Sequence, residues 1–143
     1  MEINIREIDE NDYHGVLSIG NKELGCNHSI EDYKIYYNRV KKDERYKTFV
    51  ALEKEEVVGF ITSVYSFEIG KKVGFMHIVG LAVKNEKQNQ GIGTKLLEHM
   101  ENYAKEKGIS SIVLNSGVQR TAAHAFYQCN EYGKNSWCFN KKL

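Results

Sequence analysis

Gly91 and Gly93 stand at the opening of an amphipathic helix, a short polar loop after a strand that ends at Val83. A helix start leaves its first N–H groups without intrahelical acceptors and carries about half a positive charge, so it favours an anion. Glycine lets the backbone come close to a bulky diphosphate and adopt φ angles closed to other residues. Gln88, Asn89 and Thr94 add neutral hydrogen-bonding groups. The run Gln88-Asn89-Gln90-Gly91-Ile92-Gly93 therefore reads as an anion cradle, against the plain alternative of a glycine-rich helix start that binds nothing. Two phosphate loops are excluded. Leu96 stands where GxGxxG needs its third glycine, and no Gly-Lys-Ser/Thr follows a four-residue gap.

His77 lies six residues before Val83, so in a regular strand the two side chains share a face. A bulge near Gly80 would break that parity. With an ordinary pKa of about 6.5, an imidazole there could take a proton from a substrate, or it could be satisfied inside the sheet. His14, His28, His99 and His124 show no spaced ligand pattern, and Cys26, Cys129 and Cys138 form an odd set without CxxC spacing. Neither a metal site nor a disulfide framework is expected, and a reducing cytoplasm is the plain expectation.

These groups need elements to hold them. Ile3 and Ile5 alternate with polar neighbours as a first strand. Asp9 or Asp12 caps a helix carrying Tyr13, Val16, Leu17 and Leu24, stopped by Gly25. Ser29, with Asp32 three residues on, opens a second helix with Ile30, Tyr33, Tyr37 and Val40 along one side. The period then changes to two: Thr48 to Leu52 and Val57 to Phe67 flank a charged hairpin, Glu53-Lys54-Glu55-Glu56. A further turn at Glu68 to Lys72 leads into a long strand from Val73 to Val83. Ile92, Leu96, Leu97, Met100, Tyr103 and Ala104 recur at helical spacing before Gly108. A buried strand from Ile109 to Leu114, a helix from about Thr121 to Gln128 and a closing strand around Trp137-Cys138-Phe139 complete the order. The pattern is a mixed sheet with helices on it, an α/β or α+β domain.

At 143 residues the chain fits one domain, 1–143, with no linker or repeat. The formal net charge is +1, with acids and bases interleaved. Phosphate-backbone binding needs concentrated positive charge, so nucleic acid is not an expected partner. No window reaches the roughly 18 apolar residues of a membrane helix, and the first residues lack the apolar core of a signal peptide.

Gln88-x-x-Gly91-x-Gly93 resembles the Gln/Arg-x-x-Gly-x-Gly/Ala signature of the GNAT superfamily of N-acetyltransferases. Leu81-Ala82-Val83, the Val57-Val58-Gly59-Phe60 strand opening, Ala123-x-x-Phe126-Tyr127 and the Phe139-to-Leu143 ending extend the likeness over nearly the whole chain. The resemblance implies a mixed, mostly antiparallel sheet with about four helices, splayed after the strand ending at Val83. In that gap the pantetheine arm of acetyl-coenzyme A would pair with backbone near Leu81, Ala82 and Val83. The pyrophosphate would receive N–H bonds from Asn89, Gln90, Gly91, Ile92, Gly93 and Thr94, and Asn115 would line the other wall.

Acetyl transfer to an amine requires a free lone pair on a nitrogen whose ordinary pKa is about 10, donors for the oxyanion, and a proton for the departing thiolate. The resemblance assigns the last task to Tyr127, which could otherwise be a packed aromatic with Phe126. His77 stands where some members carry a glutamate base; Glu86 and Glu68 are weaker alternatives. The oxyanion donor would be a backbone N–H near Val83. Cys129 has no base spaced to activate it. The sequence departs from the family at Arg120, where many members carry asparagine, and at Glu131, which replaces a glycine. The expected function is acetyl transfer from acetyl-CoA to a small-molecule or peptide amine by direct attack in a ternary complex. The alternative is a non-catalytic acyl-CoA-binding or regulatory module. A homodimer would be common for the family.

Overall fold

A computed structural model describes residues 2–143. The elements follow in the order β1 (Asn4–Glu7), α1 (Tyr13–Glu23), α2 (Ile30–Val40), β2 (Tyr46–Glu53), β3 (Glu56–Ser66), β4 (Phe75–Val83), α3 (Ile92–Glu106), β5 (Ile112–Leu114) and α4 (Thr121–Cys129). The five strands form one sheet in sequence order, with β1–β2, β2–β3 and β3–β4 antiparallel. The chain divides into two compact units, one running to Val113 and the other covering Leu114–Leu143.

Local chemistry starts each element where the sequence places it. Asp9 and Asp12 close a capping box over a short 3₁₀ turn ahead of α1, and buried Asp12 also takes two bonds from Arg6 at 2.7 and 3.0 Å. The Ser29 hydroxyl accepts from Asp32 N to open α2. Lys54 and Glu55 both have positive φ, 48° and 67°, which suits a tight two-residue hairpin between β2 and β3.

The core of the first unit has two sides. Phe60, Val50 and Ala82 pack with Val16 and Ile19 of α1. The opposite face carries Ser63, whose hydroxyl bonds Met100 of α3 at 3.2 Å. Gly59 lies on this α3 side. A Cβ there would stand 3.2 Å from Leu96 Cδ1 and 3.1 Å from the Ala82 carbonyl, so only glycine allows α3 to press this close. That contact fixes the start of α3 against the end of β4.

Two expectations are corrected. The strand foreseen from Ile109 to Leu114 is reduced to Ile112–Leu114, because Ile109 turns inward with Met76 and Ala104 and Val113 is exposed. The closing strand around Trp137-Cys138-Phe139 does not form: residues 133–143 carry no regular structure, and Trp137 and Phe139 are 83% and 92% exposed. The alternation of aromatic and small residues was present, but no neighbouring strand takes up their backbone groups.

Candidate active site

The first unit contains the loop from Val83 to Thr94 that the sequence offers as a cradle. After Val83, Lys84 N donates to Val58 O at 2.8 Å and a 3₁₀ turn, Asn85–Lys87, carries the chain round. Asn89 (φ 62°) and Gly91 (φ 82°) take left-handed conformations, and α3 starts at Ile92. Such a φ strains any L residue at position 91 even though the space around a Cβ there is open. α3 has no side-chain cap and no acid in its first turn. Among the described residues no protein group accepts from the N–H groups of Asn89, Gln90, Gly91, Ile92, Gly93 or Thr94. The helix's positive end is thus turned outward without a partner.

The side chains around the loop brace it. Gln88 Nε2 donates to Val83 O (3.0 Å) and to Glu23 (3.2 Å), and Gln90 Nε2 reaches Glu86 O at 3.5 Å. Lys84 pairs with Glu56 and Lys87 with Glu53 (2.6 Å), tying the loop to the β2–β3 hairpin. The Lys84 ammonium holds the Glu56 carboxyl below its usual range. Gln88 therefore contributes by shaping the loop, a role its type did not reveal. The polar neighbours of Gly91 leave the backbone amides as the free donors.

β4 offers a backbone edge beside this loop. Met76 N donates to Ser111 O at 2.9 Å, but β5 has three residues against nine in β4. The outer edge toward Leu81, Ala82 and Val83 has no neighbouring strand among the described residues. The register also shows a bulge: Thr62 pairs with Gly80 but Ser63 with Ile78, so Val79 is the extra residue.

That bulge overturns the parity argument for His77. Val83 pairs with Gly59 and His77 with Val64, positions on opposite faces of regular β3. His77 therefore lies on the face of Phe60, Thr62 and Ala82, the α1 side, whereas Val83 lies on the α3 side. Gly80 was the residue in the sequence that signalled this.

In the second unit, Tyr127 sits half-buried in α4, its ring 5.3 Å from Phe126 and 6.1 Å from Tyr132. Burial pushes its phenol above the ordinary tyrosine range, with the Arg120 charge acting in the opposite direction. Arg120 thus bears electrostatically on Tyr127 from the position where asparagine was expected. Glu131 has φ 69°, so the turn after α4 keeps the left-handed geometry glycine would adopt freely, at the expense of strain. Asn115 is exposed immediately after β5. Among the described residues no cluster of His, Cys, Asp or Glu could hold a metal ion, the three cysteines are free and exposed, and no helix is long and apolar enough to cross a membrane.

Comparison with known proteins places this arrangement. Residues 6–130 match the acetyltransferase (GNAT) family. The aminoalkylphosphonate N-acetyltransferase of Salmonella typhimurium is 31% identical over 94 residues, 66% of this chain and 61% of that protein's length. A transcriptional regulator from Bacillus halodurans C-125 superposes with a TM-score of 0.89 at 24% identity, covering 99% of this chain and all of that one. AAC(6')-Iy in complex with a coenzyme A bisubstrate analog superposes at 0.86 with 13% identity over 100% and 99% of the two chains, a likeness of fold. The chain belongs to the acetyltransferase (GNAT) family.

Proposed function

We propose that the protein is an acetyl-CoA-dependent N-acetyltransferase that moves an acetyl group to a primary amine by direct attack in a ternary complex, with residues 1–143 working as one domain. The observation that carries this is the set of unpartnered amides at the uncapped, acid-free start of α3. Those donors and the left-handed Gly91 fit a diphosphate, and the bare edge at Leu81–Val83 fits an extended amide-bearing arm. When bound, the coenzyme supplies the activated acetyl thioester.

The chain's own residues divide the remaining work. Amides from Asn89 to Thr94 hold the diphosphate, and the positive end of the α3 dipole contributes about 0.3–1 kcal/mol. His77 takes the proton from the incoming ammonium. An amine of pKa about 10 is roughly three units from deprotonation at neutral pH, about 4 kcal/mol that the base and its surroundings must offset. Tyr127 holds its proton for the departing sulfur, and its burial keeps the phenol neutral. Overall the carbonyl carbon exchanges its C–S bond for a C–N bond; the ammonium nitrogen loses two protons, one through His77 to solvent and one that balances the proton the departing thiolate takes up by way of Tyr127. Three free cysteines fit a cytoplasmic setting. The regulatory-module alternative keeps coenzyme binding without turnover, and the name of the Bacillus halodurans neighbour is its support.

The test joins calorimetry with thiol release. Wild type binds acetyl-CoA and releases thiol in the presence of an amine acceptor, while Gly91→Asp and Gly93→Asp lose binding. A carboxylate about 4 Å from the diphosphate opposes it by about 4 kcal/mol at a surface-like dielectric, more than the helix end provides. Unchanged affinity in both variants would place the coenzyme elsewhere, and tight binding with no turnover on any amine would favour the regulatory module.

A further inference from the structure

The β2–β3 hairpin holds a conflict that the loop after β4 resolves. Glu53 and Glu56 are direct partners across the base of the turn. Side chains so matched lie about 5 Å apart on one face of the sheet, and two carboxylates there repel. Each is met by a lysine: Lys84 pairs with Glu56, and Lys87 with Glu53 at 2.6 Å. The four groups also act on one another beyond their own pairs. Lys84 is the leading cause that holds the Glu56 carboxyl below its usual range, and Lys87 adds to it. Glu53 leads in raising Lys87, against desolvation, and Glu56 and Glu86 add to it.

The two lysines stand at opposite ends of one turn. Lys84 precedes the 3₁₀ turn Asn85–Lys87 and Lys87 closes it, with Lys87 N bonded to Lys84 O at 2.8 Å. Both ends are thus fastened to a single rung of the hairpin. Glu23 of α1 holds the next residue, accepting from Gln88 Nε2 at 3.2 Å. Beyond it the left-handed Asn89, φ 62°, begins the run of amides that have no acceptor among the described residues. A residue other than glycine keeps such a conformation where its surroundings over-determine it. Upstream of Asn89 those surroundings are the charge cluster; downstream they are α3.

Isolated ion pairs on a surface contribute little, and networks are the exception. Here four charges meet, and the Lys87 and Glu53 side chains are only 31% and 21% exposed.

We propose that Glu53, Glu56, Lys84 and Lys87 form a clamp that presets the loop for the coenzyme, so that two carboxylates raise its affinity for an anion. They are positioning residues acting through the backbone of 89–94, and the inference rests on the transferase reading above. The sign of their effect sets it apart. By charge alone, removing two carboxylates and freeing two ammoniums beside a diphosphate site strengthens binding. A loop that is competent only part of the time instead lowers the apparent affinity by that fraction.

The test is calorimetry with acetyl-CoA on wild type, Glu53→Gln/Glu56→Gln and the charge-swapped Glu53→Lys/Lys87→Glu. The double glutamine variant should bind about fivefold more weakly, the size that two lost pairs of a network produce. The swapped variant re-forms its pair with reversed sign and places a lysine opposite Glu56, so it should bind within about twofold of wild type. If the double variant melts below the assay temperature, Glu53→Gln alone carries the comparison, with a smaller loss in the same direction. Unchanged or tighter binding in the glutamine variants, or a loss that the swap does not recover, overturns the clamp. Wild type that fails to bind acetyl-CoA overturns the transferase reading, and the clamp's role with it.

Discussion

The two residues assigned to proton movement differ in what their surroundings demand. Tyr127 is useful as a donor only while neutral, and burial raises its pKa, so its proton is retained through the physiological range and released above the ordinary value of about 10. Activity dependent on it should therefore hold up to that pH and fall beyond it, and Tyr127→Phe should lose the alkaline limb along with much of kcat. His77→Ala should lower kcat about 10²- to 10⁴-fold, the usual contribution of general acid–base catalysis. Steady-state rates across pH for both variants check the pair, and an intact turnover number in His77→Ala would remove it as the base. At this scale the loop's backbone was legible because a helix opening with glycine at position 91 can take the left-handed φ of 82° that the turn requires. The face of His77 was not, since one extra residue at Val79 inverts every parity argument that crosses it.

Elements were legible where caps and periodicity agreed. Ser29 and the Asp9/Asp12 box start their helices, and the charged hairpin forms with both central residues at positive φ. β5 was overestimated because an apolar run does not reveal which of its members will turn toward a neighbouring helix. The tyrosines of α1 and α2 have a measurable consequence. Burial is the leading cause that raises Tyr13, Tyr33, Tyr36 and Tyr37 above the ordinary value; neighbouring phenols or acids add to it, while for Tyr37 hydrogen bonding with Thr48 and Tyr33 works in the opposite direction. Their neutral forms are favoured in the folded state, so the stability they contribute is complete below about pH 10 and drains away as pH rises past it, where the unfolded chain ionises first. A spectrophotometric titration should resolve a class among the nine tyrosines that ionises only as the protein unfolds. Smooth ionisation of all nine in protein that stays folded would contradict this packing.

Over the whole molecule, the unevenness between the two units is the main physical fact. The unit ending at Val113 holds four complete strands, three helices and every fully buried large side chain, whereas Leu114–Leu143 has one helix and no buried residue. About thirty residues cannot alone bury enough apolar surface to offset their ordering, so residues 133–143 should remain accessible to solvent. Trp137, the chain's single tryptophan, reports on that directly. It should emit as tryptophan does in water and be quenched by acrylamide as freely as in an unfolded control, in the absence of ligand and at low protein concentration. A blue-shifted, protected emission would mean that Trp137 and Phe139 find a surface after all, and that the alternating pattern foreseen as a closing strand is realised. The comparison bears on the mechanism because a segment ordered only upon coenzyme binding would show the shift only when acetyl-CoA is added, while one bound to another copy would show it as concentration rises.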